Sequence, residues 1–381
     1  MSDPRVAKLG DLLVNYSLEL QPGQLLRIDA ATVAVPLVTE AYRYALRAGA
    51  HPRTRIEVEG LDVIAVGEAT DEQLVHVADL DRLEVEQIDA VMTIWADRNT
   101  RSLSQADPGR VSRRIASRRE LTKRFWERID TGEAKWVGTR FPTEAHAQDA
   151  EMSLPEYEDF VYGACHVRED EDPVAHWRAV SVELNARARE LDTFREFRIV
   201  GPDTDLRINV EGRSWLAADG KLNMPDGEIF TSPVETETEG EIRFSFPAIF
   251  HGRGVEDVRL RFEGGRVVDA EAKTANDYLQ SLLDMDAGAR ILGEFAFGLN
   301  YEIDRFTRDI LFDEKIGGTM HFALGSSFKK LGGRNESGLH WDMICDLRAD
   351  GEVYADGELV WKAGQFLREP SVVAPEPVAA S

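Results

Sequence analysis

The chain has 381 residues, 45 basic and 69 acidic, for a formal net charge of −24 at pH 7. Hydrophobic residues make up 43% and charged residues 30%, the composition of a folded globular chain and not of a disordered one. The acidity argues against nucleic acid or an anionic membrane as the main partner, because phosphate recognition rests on clustered Lys and Arg. It remains compatible with plain solvation, cationic substrates and metal ions.

Cys165 and Cys345 are too few for a disulfide framework or a four-thiolate zinc site. No apolar run approaches the roughly 18 residues that span a bilayer. The opening residues lack the basic-then-apolar plan of a secretory signal, so the expected compartment is the cytoplasm. Val6, Leu9, Leu12, Leu13 and Tyr16 recur at helical spacing and predict an amphipathic first helix. A strand is expected at 25–30. A helix then follows whose face is Val38, Ala41, Tyr42, Ala45 and Leu46, stopped by Gly49. Further strands are expected at 54–59, 89–96 and 135–141, with an acidic amphipathic segment around 71–87. This alternation predicts an α/β amino-terminal domain, a mainly parallel sheet with flanking helices. No Gly-rich phosphate loop follows any of these strands, which leaves a nucleotide site without support. Ser153-Leu154-Pro155-Glu156 reads as a capping box opening a helix to about Cys165, and a longer helix covers 173–191.

Near 195 the pattern changes to alternating apolar and polar runs separated by Gly-Gly or Asp-Gly, the signature of antiparallel hairpins. One helix, about 275–290, interrupts them. The expected organisation is an amino-terminal α/β domain at 1–195, an α+β domain with antiparallel sheet at 196–370, and a loose tail at 371–381.

The candidate chemistry lies in the second half. In His340-Trp341-Asp342 the outer two residues share one face of an extended segment and can grip a common cation. His321 sits in an apolar, Gly-flanked stretch. Glu228 lies in a turn leading into a strand. Glu294 is flanked by Ile291, Leu292, Phe295 and Phe297, so if buried it requires a partner charge or a metal. Two imidazoles and three carboxylates suit one or two divalent ions.

The strings PDGEIFTSPVETETEG, LGEFAFGLN, LFDEKIGGTMHFALGSSF and GGRNESGLHWDMICDL occur in order over about 224–348. In these the chain resembles the aminopeptidase T (M29) family of metallopeptidases. The resemblance implies a two-domain, usually homodimeric aminopeptidase acting on peptides through two divalent metal ions: zinc, cobalt or manganese. It implies Glu228, Glu294, His321, His340 and Asp342 as metal ligands. Glu314 and Lys315, in the family-like FDEKIGG, become candidates for handling protons or supporting the ligands. The family's remaining ligand is a tyrosine seven residues after the first histidine, and here that position is Phe328, whose ring can neither coordinate nor donate a proton. Tyr301 and Tyr354 are the hydroxyls considered as substitutes.

Loss of that tyrosine raises a rival. His321, His340 and Asp342 alone are the ligand set of a mononuclear Fe(II) site, such as the resembling ring-cleaving dioxygenases use. Retention of Glu228 and Glu294 favours the hydrolase. A third reading is a degenerate family member that binds peptides without cleaving them. H-E-x-x-H, G-x-S-x-G and a P-loop are absent.

Overall fold

The computed structural model describes residues 3–370, so the tail expected at 371–381 lies outside the described residues. The chain divides into two compact units, Met1–Trp177 with Gly220–Pro225, and Arg178–Asp219 with the residues from Asp226 onward. It therefore passes between units inside the helix Pro173–Leu191, and again on either side of 220–225.

In the first unit the strands Leu25–Ala31, His51–Glu57, Ala90–Trp95, Lys135–Arg140 and Asn223–Met224 form one sheet, all parallel. The order is 51–57, 25–31, 90–95, 135–140, 223–224, so the last strand is supplied by the returning segment. Sheets of this kind are covered on both faces, and Leu26, Ile28, Ala30, Val91, Met92 and Val137 are all buried. The first helix, Pro4–Leu12, is capped by the Asp3 carboxylate and continues through a wide turn at Leu13–Ser17. It buries all five residues of its expected stripe. The helix Val35–Arg47 differs from expectation: Leu37, Val38, Ala41 and Ala45 are buried, while Tyr42 and Leu46 are exposed. It crosses the first helix closely at Gly10, where a Cβ would lie 3.0 Å from the Ala41 nitrogen, and this contact narrows the buried stripe. The acidic segment at 71–87 is two helices, Asp71–Val75 and Asp79–Gln87. Helices at Pro108–Ser117 and Arg119–Asp130, whose sequences are too polar to announce themselves, complete this side. The Ser153 capping box forms, with Glu156 Oε2 accepting from the Ser153 amide at 2.9 Å.

The second unit is built on antiparallel pairing. Eight strands between Glu196 and Phe366 make one sheet, with two-residue turns at Gly264-Gly265 and Asp356-Gly357. Both turns have positive φ at each central residue, as tight hairpins require. A second sheet carries Leu216–Ala218, Glu228–Thr231, Leu292–Gly298, Thr319–Gly325 and His340–Asp346. The two sheets share a core in which Phe197 and Phe244 meet Phe295 and Phe322, with ring centroids 5.6 and 6.0 Å apart. The helix expected at 275–290 is only Asn276–Leu283. Asp286 ends it by accepting from the Gly288 and Ala289 amides at 2.9 and 3.0 Å, which commits 286–289 to a turn.

Candidate metal centre

The five-stranded sheet has two unlike faces. Alternation sends Phe295, Phe297, Met320, Phe322, Leu324, Trp341 and Met343 into the core. The same alternation puts Glu228, Glu294, His321, His340 and Asp342 on the opposite face. Cross-strand register aligns Asp342 with Ala323, Ala323 with Glu294, His321 with Ala296, and Glu228 with Gly298. Methyl groups or hydrogens thus interleave with the donors and leave room between them. A bulge between Leu292 and Glu294 lets Leu292 join the core while Glu294 faces the donors. The apolar neighbours of Glu294 in sequence therefore do not surround its carboxylate.

The donors converge. Glu294 Oε1 lies 3.5 Å from His321 Nε2, and its Oε2 lies 3.3 Å from His340 Nε2. Glu228 Oε2 is 3.3 Å from His321 Nε2, and Asp342 Oδ1 is 3.6 Å from His340 Nε2. Two groups of three result: Glu228, Glu314 and His321, then Glu294, His340 and Asp342, each with ligand atoms within 4.8 Å of one another. His340 Nδ1 stands 3.0 Å from the Ser326 carbonyl oxygen; donation there leaves Nε2 as the free lone pair on the donor side.

Lys315 is completely buried, 3.4 Å from Glu228 Oε1 and 4.0 Å from Asp226 Oδ1, and paired with Glu314. Its segment is pinned to the sheet by the Asn300 amide, which donates to the Lys315 carbonyl at 3.1 Å. The approach requires glycine at 298, where a Cβ would fall 2.4 Å from the Ile316 carbonyl oxygen.

Charge and burial set the ionisation of the group. Burial disfavours the charge on Glu294, but hydrogen bonds and charge from His321 and His340 outweigh it and bring the carboxyl down to about 2. Burial also opposes charge on both imidazoles; for His321 the carboxylates Glu294 and Glu228 prevail and raise it to about 9. For His340, Asp342 and Glu294 do the same and raise it to about 10. Burial pushes Asp342 up to about 6 and Glu228 well above the carboxylate range, the latter despite Lys315. Lys315 itself is desolvated, yet Glu228, Glu314 and Asp226 hold it above the ordinary lysine range. Without a cation, then, the face retains protons that a metal would displace.

Three observations fit divalent cations to this face. Glu228 Oε2, Asp342 Oδ1 and His321 Nδ1 are buried without a hydrogen-bond partner. Five carboxylates against one lysine leave a formal −4 when both imidazoles are neutral, the charge that two divalent ions cancel. Mixed imidazole and carboxylate donors suit zinc, cobalt or manganese.

All seven residues singled out in the sequence therefore lie together, with Glu314 among the donors of the Glu228 group. Phe328 is beside them, its ring edge-on to His340 at 5.6 Å. Neither tyrosine replaces its missing hydroxyl: Tyr301 Oη donates to the Gly364 carbonyl at 2.9 Å, and Tyr354, in the larger sheet, donates to Glu352 at 2.6 Å. Sequence reasoning missed Asp226, 1% exposed; its signal was an acid two residues before Glu228 in PDGE.

Comparison with known proteins gives this arrangement its class. The model of the thermophilic metalloprotease family M29 matches residues 2–366, and the chain belongs to that family. Aminopeptidase T of Thermus aquaticus is 29% identical, over 92% of this chain and 94% of its own. Aminopeptidase 2 of Geobacillus stearothermophilus is 27% identical, over 95% of this chain and 97% of its own. The solved structure of wild-type AmpT from Thermus thermophilus superposes with a TM-score of 0.83 at 25% identity, covering 96% of this chain and 99% of that one. The chain is accordingly a metallo-aminopeptidase, a hydrolase dependent on divalent metal.

Proposed function

We propose that this chain removes amino-terminal residues from peptides through a centre that takes two divalent ions. Glu228 and His321 would hold one ion and His340 and Asp342 the other, with Glu294 standing between the two groups. The observation that carries this reading is Glu294, whose two oxygens face two histidines belonging to separate groups of donors. A mononuclear Fe(II) site would need His321, His340 and Asp342 around one ion, so this separation favours the hydrolase.

When bound, such ions polarise the scissile carbonyl and acidify a water. The chain's own residues do the rest. Glu314, 17% exposed where Lys315 is fully buried, is the carboxylate placed to take a proton from water and return it to the leaving amine. Lys315 ion-pairs with both Glu228 and Glu314 and orients them. The net acidity of the chain as a whole favours approach of the cationic amino terminus of a peptide. On the family resemblance alone, the assembly is read as a cytoplasmic homodimer; among the described residues no helix is long and apolar enough to cross a membrane.

Purified protein supplied with zinc, cobalt or manganese should release free amino acid from leucyl or arginyl chromogenic amides. No release with any of these metals, from a folded protein, would leave the peptide-binding, non-cleaving reading in its place.

A further inference from the structure

One large, partly exposed apolar side chain lies beside the donors. Phe328 is 37% exposed. It occupies the short loop after the 319–325 strand, where its amide donates to Ser232 Oγ at 2.9 Å and its carbonyl accepts from the Gly333 amide at 3.0 Å. The loop is further tied by the Asn335 amide donating to Ser327 Oγ at 2.8 Å, so the ring is held in place. On one side it packs against Phe230 with centroids 5.0 Å apart, and on the other it meets the His340 imidazole. Phe230 is half-buried and shares the face of the sheet that carries Glu228. The two rings thus make an apolar surface open to solvent and bordering a ligand histidine.

We infer that Phe328, backed by Phe230, receives the side chain of the substrate's amino-terminal residue and selects apolar ones of leucine or phenylalanine size. This rests on the aminopeptidase reading above. In such a substrate the amino nitrogen and the first side-chain carbon are two bonds apart. An amino group seated on the His340 and Asp342 side of the centre therefore brings its side chain to the ring beside His340. There an aliphatic or aromatic group covers exposed ring surface and removes apolar area of both from water. Alanine is too short to do so. Aspartate or glutamate would set a desolvated carboxylate against the apolar rings.

The test compares kcat/KM for glycyl, alanyl, leucyl, phenylalanyl, arginyl and glutamyl p-nitroanilides, in the wild type and in Phe328→Ala and Phe328→Leu. Leucyl over alanyl preference should be on the order of 10-fold or more in the wild type, the scale of discrimination by a few methylenes. It should fall about 10-fold in Phe328→Ala, mainly through KM, and largely return in Phe328→Leu. Calorimetric binding of leucinamide against alaninamide, and metal content, are measured on the same proteins. Leucinamide should bind more tightly than alaninamide to the wild type and to Phe328→Leu but not to Phe328→Ala, with metal content unchanged among the three. Three outcomes overturn the inference: an equal loss on every substrate, a changed metal content, or arginyl preferred over leucyl in the wild type. The first two would make Phe328 a support for His340. If no anilide is cleaved, the aminopeptidase reading fails, and the amide-binding comparison alone decides whether the ring selects apolar side chains.

Discussion

The parallel sheet of the first unit and the five-stranded sheet of the second differ in what they bury. The strand Ala90–Trp95 faces apolar neighbours on both sides, with Ala90, Val91, Met92 and Ile94 all buried. In the strands Leu292–Gly298 and Thr319–Gly325 every residue is buried, yet one face of them carries Glu294 and His321. The first sheet gains stability from each residue it covers. The second gives some up, because desolvating a carboxylate or imidazole costs several kcal/mol unless a counter-charge meets it. The lesson is that similar burial hides unequal energetics: one sheet buries apolar side chains, and the other buries charge that Lys315 offsets in part and protons or metal must complete.

The largest break in this comparison is removal of metal. Chelation should abolish aminopeptidase activity, which added zinc, cobalt or manganese should restore. Hydrogen exchange should rise in the 292–298, 319–325 and 340–346 strands and stay constant in 25–31 and 90–95. Next comes Glu294→Gln, which keeps size but removes the charge shared by both histidines. It should lower kcat by at least about 100-fold and reduce bound metal in elemental analysis. Lys315→Met leaves Glu228 and Glu314 without their buried cation, and should cost about 3–5 kcal/mol in urea unfolding of the second unit. The smallest effect belongs to the other sheet: Ile28→Val should cost about 0.5–1.5 kcal/mol with metal content unchanged.

The parallel and antiparallel halves were legible because periodicity changes near 195, and Gly-Gly and Asp-Gly mark turns that need positive φ. The helix end at Leu283 was not, since Asp286 stops it through a turn that a run of helix formers conceals. The stripe at Val38 was only partly readable, because Gly10 decides how closely two helices approach. Single-strand alternation was enough to put His340 and Asp342 on one face. It could not place Glu294 between two histidines, which depends on cross-strand register and on the bulge beside it. Nor could it show Lys315 completely buried against Glu228, a contact made from a loop and set by glycine at 298.

The proposed two-ion centre turns on Glu294 standing between two cation sites. Elemental analysis of the purified chain, saturated with metal and then dialysed, tests it most directly. Two zinc, cobalt or manganese ions per chain are expected. A single iron per chain, accompanied by oxygen uptake, would contradict it.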